Sequence, residues 1–178
     1  IPPHGNYLCF ALRRWKGFEE KAPLFGAAAE YAYRTYGLTP VFVAVEKHLD
    51  PGAGQLAARG LTIPHYFLDD AGGAGTIIGA LSRMQAVVSM RLHALIFAAG
   101  QGIPLAGVVY DPKVSAFLRY IGQEQFVDLA ELTGQNLCAM IDQCVAQAAH
   151  PEAQAAAVRN LQAMEQKNVE VARRLLKG

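Results

Sequence analysis

Charge is scarce in this 178-residue chain. Asp, Glu, Lys and Arg make up 17% of it, and 16 basic residues nearly cancel 15 acidic ones, leaving a formal charge of +1. A dedicated nucleic-acid binder would show a basic stripe, so nucleic acid is not an expected partner. A small anionic ligand is still allowed, because there local placement counts and totals do not. So little charge also suggests that part of the surface is normally covered by another domain or subunit. Cysteine is equally sparse. Cys9, Cys138 and Cys144 form no CxxC pair and no metal-ligand cluster with the five histidines, and they read as free thiols in a reduced, cytoplasmic setting. No apolar run approaches the length of a membrane span, and no charged-then-apolar signal segment opens the chain. An initiator Met is lacking too: the first residues are Ile1-Pro2-Pro3, which suggests a fragment or a processed product.

What the chain does have is apolar residues, 52% of the total, enough to fill the core of one full-sized domain. Their spacing alternates between strand and helix. Tyr7–Leu12 and Thr39–Val45 read as buried strands, separated by a helix over Glu20–Tyr36 with Gly37 as its stop. The turn-rich His48-Leu49-Asp50-Pro51-Gly52 leads to a short helix at Gln55–Arg59 and a strand at His65–Leu68. Ala74–Ser82 is a helix after a glycine cluster, Ala86–Met90 a fourth strand with a helix to about Gln101, Leu105–Val109 a fifth strand and Val114–Ile121 a helix. This alternation predicts an α/β fold: a Rossmann-like, doubly wound parallel sheet of about six strands, helices on both faces. The default strand order is 3-2-1-4-5-6, with ligands at the switch point between strands 1 and 4. The end of the chain departs from the pattern, with helices at Asn136–Ala149 and from Pro151 to Lys177. The last has an imperfect apolar face through Val158, Leu161, Ala172 and Leu175, and spans roughly 40 Å. Residues 1–150 are therefore expected to form the Rossmann-like domain, and residues 151–178 a helix packing toward a second domain absent from this chain.

The chemistry concentrates in Ser89-Met90-Arg91-Leu92-His93, which runs from the fourth strand straight into a helix. Cations in a first helical turn oppose the macrodipole, and no acidic residue lies between Ser89 and Gly107. A bound anion at that helix start would account for Arg91 and His93. The competing reading pairs Arg91 elsewhere and makes His93 a structural residue. The fifth strand ends in Tyr110-Asp111-Pro112-Lys113. Asp111 and Pro112 are ordinary capping chemistry, whereas Lys113 is again a cation in a first turn. Arg13, Arg14 and Trp15 follow the first strand. With strands 1, 4 and 5 adjacent, Arg13, Arg91, His93 and Lys113 are expected to converge on one small, highly charged anion.

Met90-Arg91-Leu92-His93, then Ala98-Ala99, Gly102-Ile103-Pro104 and Tyr110-Asp111-Pro112-Lys113, resembles the polysaccharide pyruvyl transferases, most closely the type that pyruvylates secondary cell-wall polymers for S-layer attachment. Leu12-Arg13-Arg14-Trp15, His48-Leu49-Asp50, Ser82-Arg83-Met84 and Phe117-Leu118 extend the match to about residues 5 to 145. The resemblance implies the C-terminal half of a GT-B-like enzyme with two Rossmann-like domains, the N-terminal, acceptor-side one being absent. It implies pyruvyl transfer from phosphoenolpyruvate to two hydroxyls of a cell-wall sugar or its lipid-linked precursor, giving a cyclic ketal and phosphate. A lipid-linked acceptor would bring the full enzyme to a membrane surface. In that chemistry His93 is the general acid, Arg13 and Arg91 hold carboxylate and phosphate, and Lys113 neutralises the leaving phosphate. Arg14, Leu92, Tyr110, Asp111, His48 and Asp50 are expected around the substrate, and no metal or cofactor is required.

Other features are open to two readings. Gly72-Gly73-Ala74-Gly75 lacks GxGxxG spacing and reads better as a turn into a helix than as a dinucleotide loop. His48 and Asp50 touch substrate or simply form a turn. Trp15 stacks on a sugar or plugs the sheet end. Two other functions fit the fold: the donor domain of a nucleotide-sugar glycosyltransferase, against which stands the lack of a carboxylate in Leu92–Gln101, and a non-catalytic remnant, which leaves the four convergent ionisable residues unexplained.

Overall fold

The computed structural model describes residues 1–2, 4–70 and 72–177. Gly178, the last residue of the expected C-terminal segment, lies outside them. Six strands, β1 (Tyr7–Ala11), β2 (Thr39–Val43), β3 (Tyr66–Leu68), β4 (Ala86–Ser89), β5 (Leu105–Val109) and β6 (Phe126–Asp128), form one sheet in the order β3-β2-β1-β4-β5-β6. Every pairing is parallel. The helices are α1 (Phe18–Tyr36), α2 (Pro51–Ala57), α3 (Ala74–Leu81), α4 (Leu92–Gly100), α5 (Pro112–Tyr120), α6 (Gly134–Ala148) and α7 (Pro151–Lys177). The expected strand order is the observed one.

Alternation along the central strand sorts the core into two layers. Leu8, Phe10 and Leu12 point to the face covered by α1, α2 and α6, joined there by Phe18, Phe25, Phe42, Val88, Leu137 and Ile141. Tyr7, Cys9 and Ala11 point to the other face, where Ile77, Leu81, Leu95, Val114 and Leu118 of α3, α4 and α5 complete the packing. Both faces are covered, so the strands read as near-continuous apolar runs. Gly37 ends α1 in the left-handed region at φ 67°, and its N–H reaches Tyr33 O at 2.9 Å.

Several boundaries differ from expectation, each for a local reason. Asp50-Pro51-Gly52 is a helix start: α2 begins at Pro51, whose fixed φ suits a first turn, and stops at Ala57 instead of Arg59. α5 likewise begins at Pro112 rather than Val114, capped by Asp111 Oδ1 on the Lys113 N–H at 3.0 Å. β6, only three residues long, carries too short a pattern to be placed from sequence. α6 starts two residues early in a capping box between Thr133 and Asn136.

The first half of α7 packs on the domain. Gln154, Val158, Leu161 and Met164 are half-buried, and a Cβ on Gly102 would lie 3.0 Å from Val158 Cγ2. Beyond Met164 the described side chains of α7 are exposed, Val169, Val171 and Leu175 among them. Among the described residues no helix is long and apolar enough to cross a membrane.

Candidate functional site

At the carboxyl end of the sheet two arginines reach in opposite directions. Ser89, buried at the end of β4, turns the chain there: its one hydroxyl proton is shared between Ala11 O and Arg91 O, and its oxygen accepts the Arg91 N–H at 2.8 Å. Arg91 is the N-cap residue of α4. Its side chain passes over the end of β1 to Asp50, at the end of the β2–α2 loop, with Nε 3.2 Å from Asp50 Oδ2. Two strand spacings are about 10 Å, within an arginine's reach. The same Oδ2 accepts the Glu46 N–H at 2.8 Å and the Val45 N–H at 3.1 Å. Burial raises the Asp50 carboxyl above its ordinary value, opposed by the Glu46 N–H and by the Arg91 charge. Asp50 Oδ1 and Arg91 Nη1 are both buried without a hydrogen-bond partner among the described residues. An orphaned guanidinium N–H is costly, and a ligand or water would relieve it.

Arg91 lines a cleft of about 540 Å³ with His93, Phe97, Lys47, His48 and the Gly72–Gly73 turn. His93 occupies the first turn of α4, exposed, its ring 6.4 Å from that of Phe97 one turn on. Arg91, His93, His48 and Lys47 thus share one wall system, facing the carboxylates Glu46 and Asp70. Lys47 is 3.7 Å from Asp70.

Arg13 turns the other way. Nη1 donates to Tyr110 Oη at 3.2 Å, and the guanidinium lies 5.4 Å over the Trp15 ring and 5.5 Å over Tyr110. Those two rings are 5.0 Å apart and border a second cleft, of about 800 Å³, between the β1–α1 loop and β6.

The expected convergence is therefore divided. The structure brings Arg91, His93 and His48 together at one cleft and turns Arg13 to Tyr110, which with Asp111 lines the other. Lys113 is exposed and sits 3.5 Å from Asp111, whose carboxyl is lowered first by the Lys113 N–H; it lines neither cleft. Arg14 is exposed and paired with Glu19. Leu92 packs against the core under α4. Asp50 does not face the cleft; it grips Arg91 from behind, so the absence of acids near Arg91 in sequence does not hold in space. Lys47 and Phe97 were missed. Phe97 lies one helical turn from His93, a spacing that puts both on one face. Among the described residues no cluster of three or more His, Cys, Asp or Glu could hold a metal ion.

Among solved structures, this chain is similar to a glycotransferase of kitacinnamycin (TM-score 0.62, 15% identity, covering 92% of this chain and 41% of that one). It is also similar to the glycosyltransferase VinC in complex with DTDP (0.63, 16%, 99% and 43%). A UDP-GlcNAc 2-epimerase from Neisseria meningitidis, bound to UDP-GlcNAc, matches with a TM-score of 0.54 at 14% identity, over 92% of this chain and 45% of that one. At such identities the likeness is one of fold, and the chain spans less than half of each of these proteins. No curated protein sequence matches. The family model for polysaccharide pyruvyl transferases matches residues 3–112, a span containing β1 to β5, both arginines and His93. On that match the chain belongs to the polysaccharide pyruvyl transferase family.

Proposed function

We propose that this chain is the donor-binding half of an enzyme that moves a pyruvyl group from phosphoenolpyruvate to two hydroxyls of a polysaccharide or its lipid-linked precursor, in the cytoplasm. The observation that carries the reading is Arg91: a guanidinium anchored through Nε, with a buried Nη1 unpartnered among the described residues, at the start of a helix whose free N–H groups favour an anion. Phosphoenolpyruvate brings a carboxylate and a phosphate, and arginine's planar fork suits either. His93, two residues on and on the same cleft wall, delivers a proton to the methylene carbon. The first sugar hydroxyl then bonds to C2 and gives its proton to the now neutral His93 imidazole. Departure of phosphate breaks the C2–O bond, and the second hydroxyl closes the ketal, its proton leaving with phosphate. Imidazole is the side chain that most readily performs such a transfer near neutral pH. Arg13 supplies a further cation above strands 1 and 5. Lys113 reaches the phosphate only by releasing Asp111. The exposed half of α7 extends toward a second, acceptor-side domain.

A nucleotide-sugar donor fits the fold neighbours, yet α4 has no carboxylate in Leu92–Gly100 for a ribose. His93 discriminates the roles. In the complete enzyme, His93→Ala should leave phosphoenolpyruvate binding largely intact while turnover falls by roughly a hundred- to ten-thousand-fold. Substantial turnover in His93→Gln, which keeps a hydrogen-bond donor but no transferable proton near neutral pH, would eliminate the acid role.

A further inference from the structure

The second cleft is walled by an aromatic surface that the fold does not use. Trp15 is 47% exposed and belongs to neither core layer. Its backbone has a structural duty, accepting the Phe18 N–H at 2.9 Å where α1 begins, but its indole does not. The ring is nonetheless held in place: Tyr110 lies 5.0 Å away, and the Arg13 guanidinium, bonded to Tyr110 Oη, packs against one side of each ring while Trp15 still lines the cleft. The exposed half of that indole stays fixed in water, where it returns no burial energy to the fold. It is, however, what a stacking platform requires.

From this we infer that Trp15 and Tyr110 form a sugar-binding subsite on this chain, occupied by a ring of the acceptor oligosaccharide. The inference rests on the pyruvyl-transfer reading and assigns it an acceptor position beside the donor cleft. Three observations favour a neutral sugar. The face of a pyranose carries axial C–H groups, weakly positive and apolar, which pack on the electron-rich face of an indole or phenol. The cleft, about 800 Å³, has room for an oligosaccharide segment and not only one ring. Its charged lining balances: Glu20, Asp111 and Asp128 against Lys16, Lys21 and Arg119. The carboxylates accept hydrogen bonds from sugar hydroxyls, and the balance gives no net attraction to a free anion; among the described residues, no buried unpartnered guanidinium like that of Arg91 lines this cleft. Phe126 lines the same cleft, so rings that continue from a sugar stacked on Trp15 meet a further aromatic side chain.

Trp15 is the single tryptophan of the chain, so its emission reports occupancy directly. The test titrates the chain with a β1,4-linked N-acetylglucosamine trisaccharide, a β1,4-linked glucose trisaccharide and dTDP, following Trp15 fluorescence, with calorimetry for the variants. At least one trisaccharide should give a saturable change. Its affinity should fall at least tenfold in Trp15→Ala, stay within about threefold in Trp15→Phe, which keeps an aromatic face, and be unchanged in Arg91→Ala. Because Trp15 lies outside both core layers, these variants should melt with the parent. No response to either trisaccharide up to its solubility limit, or a response to dTDP alone, overturns the subsite. Phosphoenolpyruvate binding is measured in parallel. Its absence alongside sugar binding would count against the donor reading and leave the platform standing, whereas donor binding without any sugar response would sink the platform alone.

Discussion

Asp50 shows how one side chain can serve a site without entering it. It holds two loop N–H groups and Arg91 Nε through a single oxygen. Asp50→Ala would strand all three, and removing one partner of a buried pair costs about 3–5 kcal/mol. Asp50→Asn is gentler on the fold: the amide oxygen still accepts from the loop, and the desolvation that raises the carboxyl is relieved. It no longer attracts Arg91. We expect the Asn variant to melt within a few degrees of the parent while binding phosphoenolpyruvate about tenfold more weakly. Equal losses in both properties would make Asp50 merely structural. The pairing was illegible in sequence because forty-one positions separate the partners and Asp50-Pro51-Gly52 is equally good turn chemistry. That Arg91 and His93 share a cleft was legible because a cation at a helix start runs against the dipole and singles out both residues.

At the scale of elements, glycines distinguish close packing from open surface. Gly26 lets α1 lie against the end of α2: a Cβ there would sit 2.5 Å from the Ala57 carbonyl oxygen. Gly79, on the exposed face of α3, has nothing within 4 Å. Gly26→Ala should therefore destabilise by about 1–3 kcal/mol, and Gly79→Ala should stabilise by roughly 0.5–1 kcal/mol through helix propensity. Urea unfolding midpoints check both signs; the same sign for the two would refute the packing described. The strands and long helices could be read from alternation and capping, since each local signal agrees with the fold. The short β6 and the true start of α2 could not, because three residues carry no periodicity and a Pro-Gly pair favours a turn by propensity alone.

For the whole molecule, two buried thiols tie stability to pH. Burial pushes Cys144 up to about 12 and Cys9 higher still. A folded value above the unfolded one means that the native state holds its protons longer. That stability is fully present below the ordinary thiol range and is lost as pH climbs from about 9 toward 12. Substituting Cys144→Ala should flatten this alkaline decline; an unchanged slope would show that the thiol is not sealed in the core.

The central claim is that the donor anion rests on Arg91, and calorimetric titration of phosphoenolpyruvate into the chain and its Arg91→Ala variant tests it most directly. Loss of a hydrogen bond to a charged group is worth about 1.5–3 kcal/mol, so affinity should fall ten- to a hundredfold, and the parent's affinity should weaken with added salt. The same affinity for phosphoenolpyruvate in parent and variant would contradict the account.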